Sequence, residues 1–296
     1  MTVANQPPKI FDLGLIQKRI VRARAMGANQ FLIDRLQEDM FERLDLVQRP
    51  FTSILDVGTM TPGLIERLKE KYKPQTADHL EVLDHTKGKE RALENFINGE
   101  ALNLKPQSYD LIVSLFALQV INDLPGLLVQ IRQALKPDGL FLACLLGGQS
   151  LQELRSALTR AEAEITGGAS PRIAPFADVR DLGHLLQRAG FSLPVADKDS
   201  LSIHYPDMYK LIQDLRSHAA SNPLRIERRT PLTRAVIARS AEIYRQNHGD
   251  KKDRICATLD FVWLSGWAPH PSQQQPLKPG SAKMHLSQVL PDRSAI

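Results

Sequence analysis

Between residues 30 and 48, apolar residues recur every three or four positions, and Phe31, Leu32, Leu36, Met40, Phe41, Leu44 and Val47 fall on one face. That spacing predicts a helix packed against the next elements of the chain. The period then changes. SILDVG at 53–58 is a short apolar strand, and Leu64, Ile65, Leu68 and Tyr72 mark one face of the helix behind it. HLEVLD at 79–84 reads as a second strand, and the segment leading to FINGEAL at 96–102 as a further short one. YDLIVSLFAL at 109–118 is apolar throughout, as strands covered on both faces are. LPGLLVQIRQALK at 124–136 reads as a helix that stops before Pro137-Asp138-Gly139, and GLFLACLL at 139–146 as the next strand. This alternation predicts an α/β fold with a parallel, doubly wound sheet, whose ligands lie outside the carboxyl ends of the strands.

Past residue 147 helices dominate. SLQELRSALTRAEAEI carries Leu151, Leu154, Leu158, Ala161 and Ile165 on one face and is ended by Gly167 and Gly168. DVRDLGHLLQRAGF is a second amphipathic helix, closed by Gly190. Two short strands are expected within 192–205, helices near 206–217 and 231–246, and a strand at ICATLDFVWL. The stretch from Ala268 to Lys283 is rich in proline and glutamine and reads as an irregular tail.

Composition narrows the function classes. With 296 residues and 43% hydrophobic content the chain can bury a large core. Its longest apolar runs fall short of the roughly 18 residues that cross a bilayer, so no transmembrane segment is expected, while peripheral membrane contact stays open. The opening MTVANQPPKIFD has no apolar segment followed by a cleavage site, which points to a cytoplasmic protein. Two cysteines make no disulfide framework, and Cys144 reads as a buried thiol. The net charge of +5 is spread along the chain, so nucleic acid is not implied. One cluster, KRIVRARAMG at 18–27, reads either as a solvated helix face or as a surface for an acidic partner.

The turn after the first strand is the candidate binding element. There, backbone N–H groups and a helix N-terminus favour a carboxylate or phosphate, and Gly58 supplies the tight turn. Asp56 at the strand end can receive a cationic group, and Asp84 closing the second strand can accept from both ribose hydroxyls. Asn98 and Glu100 are candidates for an adenine amino group.

DVG, a later acidic residue and PDG between the following helix and strand resemble the class I S-adenosylmethionine-dependent methyltransferases over about residues 50 to 146. That resemblance implies a Rossmann-like, mostly parallel seven-stranded sheet with a helical elaboration after the fifth strand. It also implies S-adenosylmethionine as cofactor, bound by Asp56, Gly58, Thr59, Met60, Asp84, Asn98, Glu100 and Ser114. The usual first motif is D-x-G-x-G-x-G; here it reads DVGTMTP, with Met60 and Pro62 in place of two glycines. Losing one or two charge-assisted backbone contacts, at about 1.5–3 kcal/mol each, would weaken binding roughly 10-fold to several-thousand-fold. Thr61 can cap the helix behind this turn.

FALQVINDLPGLLVQIRQALKPDG, GGQSLQELRSALTRAEAEITGGASPRIAPF, DVRDLGHLLQRAGF, GWAPHPSQQQPLKPGSA and the amino-terminal IFDLGLIQKRIVRARA resemble, in order and spacing, the methyltransferase-like assembly factors of respiratory complex I. Mitochondrial members of that family are associated with hydroxylating an arginine of a complex I subunit, and bacterial relatives with methylation. The resemblance implies a bacterial cytoplasmic protein with a complex I subunit as substrate or client. It leaves open a relation to the enzyme that methylates malonyl carrier protein, and a scaffold whose cofactor loop has decayed. Gln119 and Val120 stand where family members often have His and Trp, ahead of the retained Asn122, Asp123, Leu124 and Pro125. The implied organisation is a helical segment over 1–49, a cofactor-binding α/β core over 50–147, an elaboration with final strands over 148–270 completing the same domain, and a tail over 271–296.

Other chemistry finds little support. His79 and Glu81 share a strand face but lack a well-spaced third ligand, so no metal site is read. His184 reads as a packed histidine, and Arg172, His204 and His270 likewise carry no assigned role. SPRIAPF at 170–176 reads as a lid over the site or a proline-fixed loop on the sheet. No catalytic residue is named.

Overall fold

In the computed structural model, which describes residues 9–27, 31–59, 63–80, 104–225, 231–274 and 280–281, six strands form one sheet. They are β1 (Ser53–Val57), β2 (Thr76–Leu80), β3 (Tyr109–Leu115), β4 (Leu135–Leu146), β5 (Ser192–Tyr205) and β6 (Ile255–Trp267), in spatial order β2-β1-β3-β4-β6-β5. β1 to β4 run parallel, and β6 is reversed, pairing antiparallel with β4 and β5. The sheet is therefore mostly parallel. Seven strands are implied by the resemblance; six are found among the described residues, and the short strand expected before FINGEAL falls outside them.

Continuously apolar strands work here because both faces of the sheet are covered. Ile54, Leu111, Val113, Leu142 and Trp263 enter one buried cluster, while Leu55, Ile112, Phe141 and Val262 enter the other. Each neighbouring pair splits between the faces, as the period of two requires. On the first face lie α2 (Phe31–Asp45), α3 (Gly63–Tyr72), α5 (Gln152–Thr166), α7 (Met208–Ser217) and α8 (Arg234–His248). On the second lie α1 (Leu13–Met26), α4 (Leu124–Ala134) and α6 (Val179–Arg188). Among the described residues no helix is long and apolar enough to cross a membrane.

Local chemistry sets the helix limits. Asp12, Asp123, Asp178, Asp207 and Thr233 cap α1, α4, α6, α7 and α8 by accepting from a backbone N–H. α5 ends at Gly167, in the left-handed region at φ 73. The run Asn122-Asp123-Leu124-Pro125 has a structural logic: Asp123 caps α4, Pro125 sits in its first turn, and Gly126 leaves room for the cap. A Cβ on Gly126 would stand 2.2 Å from Asp123 Oδ2.

Several elements depart from expectation, among them β4, which starts at Leu135 rather than at Gly139 because Leu135 already pairs with Tyr109 of β3. The two short strands expected within 192–205 are one strand, β5, paired with β6 from Ser192 to Tyr205 across a register shift before Val195. Its polar residues misled because β5 is the edge of the sheet, where alternate side chains meet solvent. β2 starts at Thr76, three residues before the expected 79, because its parallel register on β1 runs from Ser53↔Thr76 to Val57↔Leu80; residues 81–84 lie outside the described residues. β3 stops at Leu115, and Leu118–Val120 form a 3-10 turn, with Phe116 at φ 58 making the break.

The amino-terminal segment is strapped across the carboxyl ends of the strands. Phe11 bridges Leu224, Asp12 N donates to Pro223 O at 2.8 Å, and Arg225 N donates to Ile10 O at 2.8 Å. Asn122 clasps the same segment from the other side: Phe11 N donates to its Oδ1 at 2.8 Å, and its Nδ2 donates to Phe11 O at 3.3 Å. Within the basic cluster of α1, Arg19 faces inward and donates to the carbonyls of Ser221, at 3.0 Å, and Asn222.

Candidate functional site

β1 delivers its carboxyl end into a turn where Gly58 adopts φ 77, a conformation that suits glycine. Short side chains fix the turn. The Thr59 hydroxyl donates to Asp56 Oδ1 at 2.5 Å and accepts from Leu115 N at 3.1 Å. Ser114 donates to Val57 O at 2.7 Å. Asp56, Thr59 and Ser114 are all buried, so these three stitch the end of β1 to the end of β3 behind the turn. Gly58 is the member of the expected set that reaches a cavity. Met60, Asp84, Asn98 and Glu100 lie outside the described residues, as do Thr61 and Glu81 and the side chain of His79.

A cavity of about 140 Å³ opens beyond Gly58, outside the carboxyl ends of β1, β3 and β4. This is where a doubly wound sheet holds its ligands. Phe116, Gln119 and Val120 floor it after β3, while Ile16 and Ile20 of α1 and Leu32 and Ile33 of α2 form one wall. Further lining comes from residues after β4: Ile203 and Tyr205 of β5, Leu211, Asp214 and Leu215 of α7, and residues 218–223.

The SPRIAPF segment also borders this cavity, through Ile173, Ala174 and Phe176. Its position is fixed by polar anchors. Arg172 pairs with the buried Glu162, whose Oε2 also accepts from Ser170 N at 3.0 Å. Arg155 Nη2 donates to Ala174 O at 3.3 Å, and Asn222 Nδ2 to Pro171 O at 2.8 Å. The hydrogen bond from the Arg172 guanidinium holds the Glu162 carboxyl below the usual carboxylate range, outweighing the effect of burial.

The lining is overwhelmingly apolar, which makes its few polar groups informative. Tyr205 Oη donates to Asp214 Oδ2 at 2.7 Å. Burial, then this bond to a carboxylate, pushes the Tyr205 phenol well above its ordinary pKa, so it stays a proton donor. His218 places Nδ1 2.9 Å from the Asp214 carbonyl, and 3.6 Å from Asp214 Oδ1. With acceptors on that side, the imidazole proton belongs on Nδ1. Gln119 Nε2 donates to Phe116 O at 2.8 Å, while its Oε1 is buried without a hydrogen-bond partner.

Tyr205, Asp214 and His218 went unread in the sequence. The one available signal was the four-residue spacing of Asp214 and His218 across the end of a helix. The other histidines weighed there sit elsewhere. His184 is exposed rather than packed, because it lies on the outer side of α6. His204 approaches Asp250 at 3.9 Å, and His270 bonds Ser272 at 2.6 Å. Cys144 is buried, and burial raises its thiol pKa well above the ordinary value, as for an inert core cysteine. Among the described residues no group of three His, Cys, Asp or Glu is arranged to hold a metal ion.

Comparison with known proteins places this geometry among relatives. A family model described as a methyltransferase domain matches residues 26–194. The mitochondrial arginine-hydroxylase NDUFAF5 of Danio rerio is 33% identical over 297 aligned residues, covering 97% of this chain and 91% of its own length. The Homo sapiens protein of that name is 40% identical over 190 residues, covering 64% of this chain and 55% of its own length. A malonyl-[acyl-carrier protein] O-methyltransferase of Gallionella capsiferriformans is 30% identical over 246 residues, covering 78% of this chain and 82% of its own length.

Proposed function

The chain belongs to the methyltransferase-domain family and groups there with the NDUFAF5 arginine hydroxylases, and on that basis we propose that it modifies an arginine side chain of a respiratory complex I subunit during assembly, in the bacterial cytoplasm. The observation that carries this reading is the cavity itself. It runs from the Gly58 turn into a cover built by α1, α7, β5 and the 170–176 segment, so a cofactor turn and an acceptor chamber share one space.

The residues present fit S-adenosylmethionine at one observable point, the positive-φ Gly58 that opens onto the cavity ahead of the amino end of α3. The turn from Asp56 to Gly63 would hold it together with Asp84 and the 98–100 segment. Bound there, it supplies an electrophilic sulfonium methyl. The chain's own contribution is placement: apolar walls exclude water, and the strapped segments hold an acceptor against the turn.

The test uses a strain lacking the protein. Peptide mass spectrometry of complex I subunits is expected to show one arginine that loses a mass increase, either one oxygen for hydroxylation or one methylene for methylation. Asp84→Ala is expected to fail to restore it. Unmodified arginines in both strains would sink the reading. Full assembly of complex I with a folded Asp84→Ala variant would instead support the scaffold.

A further inference from the structure

Among the described lining residues of the cavity there is no Lys or Arg, and Asp214 is the sole carboxylate. Tyr205 occupies Asp214 Oδ2 as a donor, whereas Oδ1 has His218 Nδ1 at 3.6 Å, beyond hydrogen-bond reach. Gln119 borders the same cavity, and its Oε1 is a second acceptor that is buried and unpartnered. A buried acceptor in apolar surroundings is costly until a donor reaches it. The site therefore calls for a ligand with an apolar stem and a cationic head rich in N–H groups.

We propose that Asp214, oriented by Tyr205, is the specificity-determining residue that receives the guanidinium of the acceptor arginine, and that Gln119 Oε1 takes a second N–H of the same group. The assignment rests on the arginine reading given above. Two acceptors on different elements favour a guanidinium, whose planar fork spreads five donors, over an ammonium, whose three donors leave one point. A carboxylate-bearing acceptor such as a malonyl group would meet Asp214 as a like charge, with no Lys or Arg among the described lining residues to offset it.

Binding to the full chain separates the possibilities, with n-hexylguanidinium, n-hexylammonium and heptanoate as probes followed by NMR titration. Hexylguanidinium is expected to bind best. Asp214→Asn, which keeps an acceptor for Tyr205, should weaken it roughly ten- to hundred-fold, and Gln119→Leu by about ten-fold. Tyr205→Phe retains the charge but frees its orientation, so a smaller loss is expected from it. Circular dichroism and thermal midpoint establish that each variant is folded. Heptanoate binding as well as hexylguanidinium, unchanged affinity in Asp214→Asn, or no hexylguanidinium binding by the folded wild type would overturn the assignment. Arginine modification in cells that survives Asp214→Asn would remove this assignment and leave the enzyme reading standing. Asp214-dependent binding without any modified arginine in cells would do the reverse.

Discussion

Glu162 is the buried half of an ion pair that sets where one wall of the cavity stands. Its side chain is 4% exposed against 14% for Arg172, whose neighbour Ile173 lines the cavity. Breaking a buried pair by removing one charge typically costs about 3–5 kcal/mol, because the remaining charge is left uncompensated. Glu162→Gln is expected to destabilise the fold by that order, read from urea unfolding at neutral pH. The pH dependence has a definite sign. The folded carboxyl titrates below its unfolded value, near 4.3 for glutamate, so its contribution is complete above that pH and disappears as pH falls through the depressed value. The wild type and Glu162→Gln should therefore converge in stability under acid. A constant gap down to the acid transition would show that the pair does not account for the difference. Gly58 was legible as a single residue because the turn after β1 needs it, whereas the capping role of Asp123 was not read. Asp214, Tyr205 and Gln119 were not legible, because only the packing of α7, β5 and the post-β3 turn around one cavity brings them together.

At the scale of elements, periodicity carried most of the information. The amphipathic helices and the doubly buried β1, β3 and β4 were readable because burial on a fixed face leaves a fixed period. β5 was not, since an edge strand half in solvent has no such constraint and its length comes from pairing with β6. Another long-range dependence ties α1 to the rest. The amino-terminal segment is held by Asn122 on one side and by Leu224 and its neighbours on the other. Asn122→Ala removes two hydrogen bonds, each contributing about 0.5–1.5 kcal/mol. Faster hydrogen exchange is expected over 10–26, with the amides of β3 and β4 unaffected. Unchanged exchange over 10–26 would show that the 223–225 pairing alone retains the strap. The clasp also explains why Asn122 directly precedes a helix cap: one dipeptide starts α4 and anchors α1 across the cavity.

In the function proposed above, labour is divided along the cavity, with cofactor at the turn after β1 and acceptor against α7 and β5. If the two ends act separately, one can be blocked while the other still binds. Ala220 lines the cavity and is solvent-exposed, so it stands at a mouth on the elaboration side, far along the chain from the Gly58 turn. Ala220→Trp adds bulk at that rim without disturbing the buried clusters, so its fold and thermal midpoint should match the wild type. S-adenosylmethionine at about a hundred times its dissociation constant should stabilise both proteins equally, by about 2.7 kcal/mol. Arginine modification, by contrast, should fall sharply in the variant, because the acceptor has to pass the obstructed rim. Equal loss of cofactor stabilisation would mean that both ligands share this mouth. Full modification by Ala220→Trp would place the acceptor's route elsewhere along the cavity.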